Sequence, residues 1–159
     1  RIHKEHVVSD PLLIPSGNAE HWLNELRPYQ ISTIRQYLKT TGFEGAAEKW
    51  LSTTGTADII PFGGGRGSRM FWDRFKAEFR QFLCDESAYS TVKELLKKEA
   101  PITRASFIAV VGSALASTLG LTAVLVTPAL VLMMAAVAEM GRQAFCQNDA
   151  RNVDTTSDE

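Results

Sequence analysis

Strand-like alternation is missing from this chain, and so are the short signatures of chemistry. No run of useful length alternates apolar and polar residues, so nothing points to a half-buried sheet. Neither GxSxG nor HExxH occurs, and the three histidines, His3, His6 and His21, all lie within the first 21 residues. Hydrolytic catalysis needs a nucleophile, a base and an orienting group, or a carboxylate pair in a cleft. No carrier for either is visible, so the chain reads as a non-enzyme with no catalytic residue to name. Imidazoles near a polar terminus are ordinarily solvated, so no metal set is assigned to the histidines and no cofactor is expected.

An excess of one charge is lacking too. The 17 Lys and Arg nearly balance 18 Asp and Glu, leaving a formal charge of −1. Such a chain has no global field to steer it toward nucleic acid or an anionic membrane. Cysteine is limited to Cys84 and Cys146, in no CxxC, zinc or haem spacing,. We expect two reduced core thiols, with a disulfide or a reactive thiol as the alternatives. The opening RIHKEHVVSDPLL has neither the apolar run nor the small-residue cleavage site of a secretory signal,. The expected location is cytoplasmic, with a membrane as the alternative.

What the chain does have is helical periodicity. In NAEHWLNELR, Asn18 suits an N-cap, Pro28 stops the run, and Trp22, Leu23 and Leu26 form an apolar edge,. In PYQISTIRQYLKTTG, Pro28 suits a first helical position, Ile31, Ile34 and Leu38 share a face, and Gly42 is the expected stop,. Phe43, Ala46, Ala47, Trp50 and Leu51 then fall at i, i+3, i+4, i+7 and i+8,. Farther on, Ser68 is the expected cap of a helix whose Phe71, Phe75, Phe79 and Phe82 line one side. Thr91 and Glu94 stand at capping-box spacing in the next helix, which Pro101 ends,.

The fold class these patterns imply is all-α: a compact bundle of about seven helices around a central apolar helical hairpin. We divide the chain into an extended N-terminal segment over 1–17, one helical domain over 18–146 and a polar, acidic tail over 147–159. The one clear interruption, residues 52–67, carries STTGTADIIPFGGGRG, in which glycine entropy opposes regular structure,.

The hairpin is the feature on which function turns. Ala105 to Ala138 contains 34 uncharged positions, more than a transmembrane helix requires. As one helix it would run roughly 51 Å, too far for one upright crossing of a ~30 Å hydrocarbon core. Two crossings and a turn would need more residues. Its first half is rich in Ser and Gly, and Thr127-Pro128 looks like an N-cap followed by a first helical position. That would place freed backbone groups at the bilayer centre. We therefore expect two core helices, over about 103–119 and 128–146, joined by LTAVLV. Thr103 or Pro101 should open the first, and Gly120 should close it. Gly112, Ala116 and Gly120 recur every four residues and form a candidate helix-packing seam, as do Ala105, Ala109, Ser113 and Ser117. Glu139, Arg142 and Gln143, at i, i+3 and i+4, give the second helix a wet C-terminal face.

GGGRGS ahead of a helix has the glycine amides that favour an anion, but no Lys-Ser or Lys-Thr follows and the GxGxxG spacing fails at Ser68,. Basic and aromatic residues interleave after it, yet the phenylalanines share a core side, leaving Trp72 as the candidate exposed stacker, so nucleic-acid binding is not expected. The candidate binding residues are Gly63, Gly64, Gly65, Arg66, Arg69 and Trp72. The expected function is a non-enzymatic protein–protein interaction module that binds a protein partner or a second copy of itself, as a small subunit or adaptor of a larger assembly. No small-molecule substrate is inferred. The alternative is a membrane-associated protein that uses 105–138 as a tilted span or membrane-active hairpin, with Lys93, Lys97, Lys98 and Arg104 flanking its inner side.

Overall fold

A computed structural model describes residues 14–52 and 65–147, with the backbone alone described over 65–70. The expected segment over 1–17 and tail over 147–159 lie mostly outside the described residues, as does most of the Gly-rich stretch. Among the described residues every regular element is helical. In chain order these are α1 (Ala19–Leu23), α2 (Pro28–Leu38), α3 (Phe43–Trp50), α4 (Gly65–Cys84), α5 (Ser90–Lys98), α6 (Arg104–Leu119) and α7 (Ala123–Met140). A short helix, α8, follows over 142–147.

Local chemistry accounts for most of the boundaries. Asn18 Oδ1 accepts from the His21 amide at 2.9 Å, while His21 Nδ1 accepts from the Asn18 amide at 3.0 Å. This reciprocal cap starts α1 and gives His21 a structural task. Pro28 stands at the first position of α2. Thr103 Oγ1 accepts from the Ser106 amide to start α6. Gly120, at φ +74, ends α6 in the left-handed region, and the Leu121 amide reaches back to the Ala116 carbonyl at 2.9 Å,.

Other boundaries correct the sequence reading. Gly42 is the N-cap of α3, with extended backbone, whereas α2 ends at Leu38 with Lys39 as its C-cap. Ser68, the expected cap, lies inside α4, which is described from Gly65 onward. Helix α5 begins at Ser90, so Thr91 lies inside it. Its N-cap is Tyr89, at φ +55. The Tyr89 ring packs edge-on against Phe82 and its hydroxyl donates to Glu78 at 2.5 Å. Those two contacts hold a bulky residue in a backbone region it seldom occupies.

The hairpin is also drawn differently. Helix α7 starts at Ala123, so the connection from α6 is three residues, and Pro128 is the sixth residue of the helix. Proline removes the amide that would bond the Val124 carbonyl. Val124 is 65% exposed, where water can take that amide's place. Thr127 is helical as well, its hydroxyl donating to the Ala123 carbonyl at 2.7 Å. The helix ends at Met140, because Gly141 (φ +94, ψ 144) turns the chain out of it. Arg142 thus leaves the face it was expected to share with Glu139.

Helix α7 is the axis of the fold. Val126 and every residue over 128–137 are buried, with Val131, Leu132 and Met133 at 0% exposure. Helices α1, α3 and α6 pack on it, α2 backs onto α3, and α4 and α5 lie against α6. Full burial explains why this helix is apolar on all sides. Two aromatic chains then bind α4 to the remainder. Trp72, Phe75, Phe79 and Phe145 run down one side with centroids 5.8–6.2 Å apart. Tyr89, Phe82, Phe107 and Trp22 run across to α1 at 5.7–6.2 Å. Such contacts add about 0.5–1.5 kcal/mol each beyond the area they bury.

Cys84 and Cys146 form a disulfide, their Cα atoms 5.7 Å apart, which overturns the expectation of two reduced thiols. The end of α4 and the end of α8 meet because Phe145 packs on Phe79. No spacing in the sequence encodes that meeting.

Candidate functional site

The residues singled out from the sequence do not assemble into a described site. Gly63 and Gly64 lie outside the described residues. Gly65 opens α4, and Arg66 and Arg69 lie on its first turns. Trp72, expected to be exposed, is 6% exposed and stacked on Phe75, because it shares the inward side of α4 with the phenylalanines. Trp22 and Trp50 are buried as well. No tryptophan is left as a surface anchor.

The helix-packing seam divides in two. Gly112 and Ala116 are buried. A methyl group at Gly112 would stand 3.5 Å from Thr127 Oγ1 and 3.8 Å from Leu130 Cδ2, an ordinary contact with α7. Gly120 has open space around it and serves as the left-handed terminator, with no part in packing. Ala105, Ala109, Ser113 and Ser117 face outward.

Where the first turn of α3 meets the last turn of α7, the bundle leaves a groove of about 540 Å³. Gly42, Phe43, Glu44, Gly45, Ala136, Glu139, Met140 and Phe145 line it. Three elements build it. The extended cap at Gly42 sets Phe43 and Glu44 at the start of α3, with Phe43 half-buried. The break at Gly141 ends α7 with Met140 46% exposed. Helix α8 then folds back and presses Phe145 into the floor, 3% exposed. The rim is acidic. Glu139 is exposed, and Glu44 lies 3.4 Å from Lys76 Nζ across a partly exposed gap. No periodicity revealed this groove, because it depends on how three separate helix ends meet. Gly42, Phe43 and Glu139 were singled out in the sequence for other reasons, as a helix stop, part of an apolar stripe and part of a wet face, and Met140 carried no reading at all.

A second polar cluster sits where α4, α5 and α8 converge. Lys93 is 6% exposed, and its Nζ donates to the Asp85 carbonyl at 2.7 Å while lying 5.5 Å above the Phe82 ring. Burial holds its pKa below the ordinary lysine value, and Asp85 opposes the shift,. Hydrogen bonds from Ser87 hold Asp85 below its usual range. Tyr89 is pushed up to about 12, first by burial and then by its bond to Glu78. Arg142 Nε donates to the Leu83 carbonyl at 3.0 Å. Two cations therefore meet carbonyls at the C-terminal end of α4, where the helix dipole favours positive charge. Their arrangement accounts for how that end is capped and presents no nucleophile with an adjacent base.

Among the described residues no three His, Cys, Asp or Glu side chains converge to hold a metal ion. Two of the four cations proposed to flank a membrane segment are engaged within the fold: Lys93 as above, and Arg104, which donates to Glu25 and to the Ser16 carbonyl. By length and composition α7 could cross a bilayer. It has 18 residues and a mean hydropathy of 2.1, although most of it is buried inside the bundle. Set against models of known protein families, curated proteins and solved structures, the chain matches none.

Proposed function

We propose that this protein is a non-catalytic helical docking module that receives an amphipathic helix of a protein partner in the groove between α3, α7 and α8. The partner would present an apolar edge with a Lys or Arg beside it. The observation that carries this reading is Met140, 46% exposed at the end of a helix whose middle is buried, and bordered by Phe43 and Phe145. Methionine is flexible and polarisable, which suits it to surfaces that adapt to an incoming side chain. The groove has the volume to take a few side chains, as a helix laid across it would supply at i, i+3 or i+4, and i+7. Glu139 at the rim, where Glu44 is already engaged by Lys76, favours a basic flank, which selects partners more than it adds affinity,.

Two synthetic helical peptides with the same leucine edge, one flanked by lysines and one by glutamates, test the reading. Titrated into isotope-labelled protein, the cationic peptide should shift the resonances of Phe43, Gly45 and Met140. Glu139→Lys should transfer the preference to the anionic peptide. Equal binding of both peptides, or shifts confined to another surface, would contradict it.

A second reading keeps the bilayer, on the strength of the length and hydropathy of α7. Residues 126–137 are enclosed by α1, α3 and α6, so those helices would have to part before the helix met lipid. Flotation with anionic vesicles in the absence of detergent tests it: co-flotation supports membrane insertion, and protein left in the dense fraction removes it.

A further inference from the structure

We propose that the Cys84–Cys146 disulfide is a redox latch that holds Phe145, the floor of the docking groove, in place, so that reduction dismantles the groove. Three of the contacts that attach α8 to the bundle fall on the last two turns of α4. The Phe145 ring meets Phe79 edge-on at 5.8 Å, Arg142 Nε donates to the Leu83 carbonyl at 3.0 Å, and Cys146 is bonded to Cys84. Just before α8, Gly141 leaves the helical region at φ +94. The six residues over 142–147 therefore gain nothing from continuation of α7. A helix this short does not persist on its own, since its nucleation cost is spread over too few bonds.

The burial of one ring and a single hydrogen bond can break and re-form as a short helix frays, whereas the covalent anchor limits how far Phe145 can move when they do. Phe145 is both the residue against Phe79 and the floor of the groove. The central helix is held differently. Val126 and residues 128–137 are buried, with α1, α3 and α6 packed on their helix. Release of α8 is consequently a local event, of the kind drawn from the low-stability end of a fold.

Both cysteines are half-buried, so a small dithiol can reach the bond. A thiolate of the dithiol attacks one sulfur and forms a mixed disulfide, expelling the other cysteine as a thiolate that takes up a proton. The second thiol of the reductant then displaces the remaining cysteine and closes its own disulfide. Two electrons and two protons pass from the dithiol to Cys84 and Cys146.

The gating part of this proposal rests on the groove being the docking site, whereas the latch itself does not, and the test separates them. Hydrogen exchange is followed by mass spectrometry on the full chain, oxidised and then reduced with dithiothreitol, and on Cys84→Ser and Cys146→Ser. The latch predicts that reduction accelerates exchange over 142–147 by at least tenfold while 126–137 stays protected. Each serine variant should behave as the reduced protein whether or not dithiothreitol is present. Unchanged protection over 142–147 would overturn the latch, and so would equal loss of protection in every helix, which would mark a staple of the whole fold. Free thiols that alkylate fully in air-equilibrated protein would overturn it as well. Affinity for the lysine-flanked peptide reads the gate. A fall of about tenfold on reduction supports it, and release of α8 with affinity unchanged overturns it. If the oxidised protein ignores the peptide, the docking reading fails while the exchange data still decide the latch.

Discussion

The indole N–H of Trp50 donates to the Leu125 carbonyl at 3.0 Å, joining the end of α3 to the first turn of α7 across 75 positions of sequence. The bond holds the start of the central helix to the shell that surrounds it. Just downstream, Pro128 leaves the Val124 carbonyl without its helical donor,. The tie and the weak point lie within one turn of each other.

Trp50→Phe keeps a ring in this site and removes the donor. It should lower stability by about 1–2 kcal/mol, the value of one hydrogen bond plus a small loss of packing. Trp50→Ala should cost roughly 3–5 kcal/mol. Urea unfolding with an unchanged m-value checks both, and equal effects of the two variants would place the stabilisation in the hydrogen bond alone.

The two ends of the small-residue seam should respond in opposite directions. At Gly112 a methyl group meets only ordinary contacts, and alanine gains up to about 1 kcal/mol of helix propensity over glycine. Gly112→Ala should therefore be neutral or mildly stabilising. Gly120→Ala forces a side chain into φ +74 and should cost roughly 1–2 kcal/mol. Thermal unfolding midpoints decide the matter, and destabilisation at Gly112 matching that at Gly120 would restore the reading of one continuous seam.

Tyr89 should titrate late. Its folded-state pKa of about 12 lies above the ordinary value of 10.0, so the folded protein keeps a proton that the unfolded chain has lost. Stability from this group is fully present below pH 10 and is lost as pH rises from 10 through 12. Absorbance at 295 nm should contain a component near pH 12 that disappears in Tyr89→Phe. A titration curve unchanged by that substitution would contradict the bond to Glu78.

The sequence carried the helical stripes because one physical rule, burial of one face at a period of 3.6, sets them locally. Phe75, Phe79 and Phe82 on α4, and Ala46, Ala47, Trp50 and Leu51 along α3, are buried as that rule expects. Caps made by neighbouring residues, Asn18 and Thr103 among them, were legible for the same reason. What escaped depends on contacts remote in sequence. Burial of Trp72 depends on how wide the covered side of α4 is, and the start of α7 at Ala123 depends on tertiary packing that tolerates Pro128 inside a helix. The Cys84–Cys146 bond spans 62 positions. The groove joins residues 42–45 to 136–145, so no local window contains it.

Met140 and Glu139 should matter to docking and little to folding. Both are exposed at the end of α7, where substitutions ordinarily change stability by less than about 0.5 kcal/mol. Met140→Ala should weaken binding of the lysine-flanked peptide several-fold with an unchanged unfolding midpoint. A large loss of stability instead would make Met140 part of the core.

The claim beneath all of this is that the chain's own helices bury α7. Hydrogen exchange in detergent-free buffer tests it most directly. The amides over 126–137 should be among the slowest in the protein, exchanging only through global unfolding. Rapid exchange there, with protection gained only when lipid vesicles are added, would contradict the account.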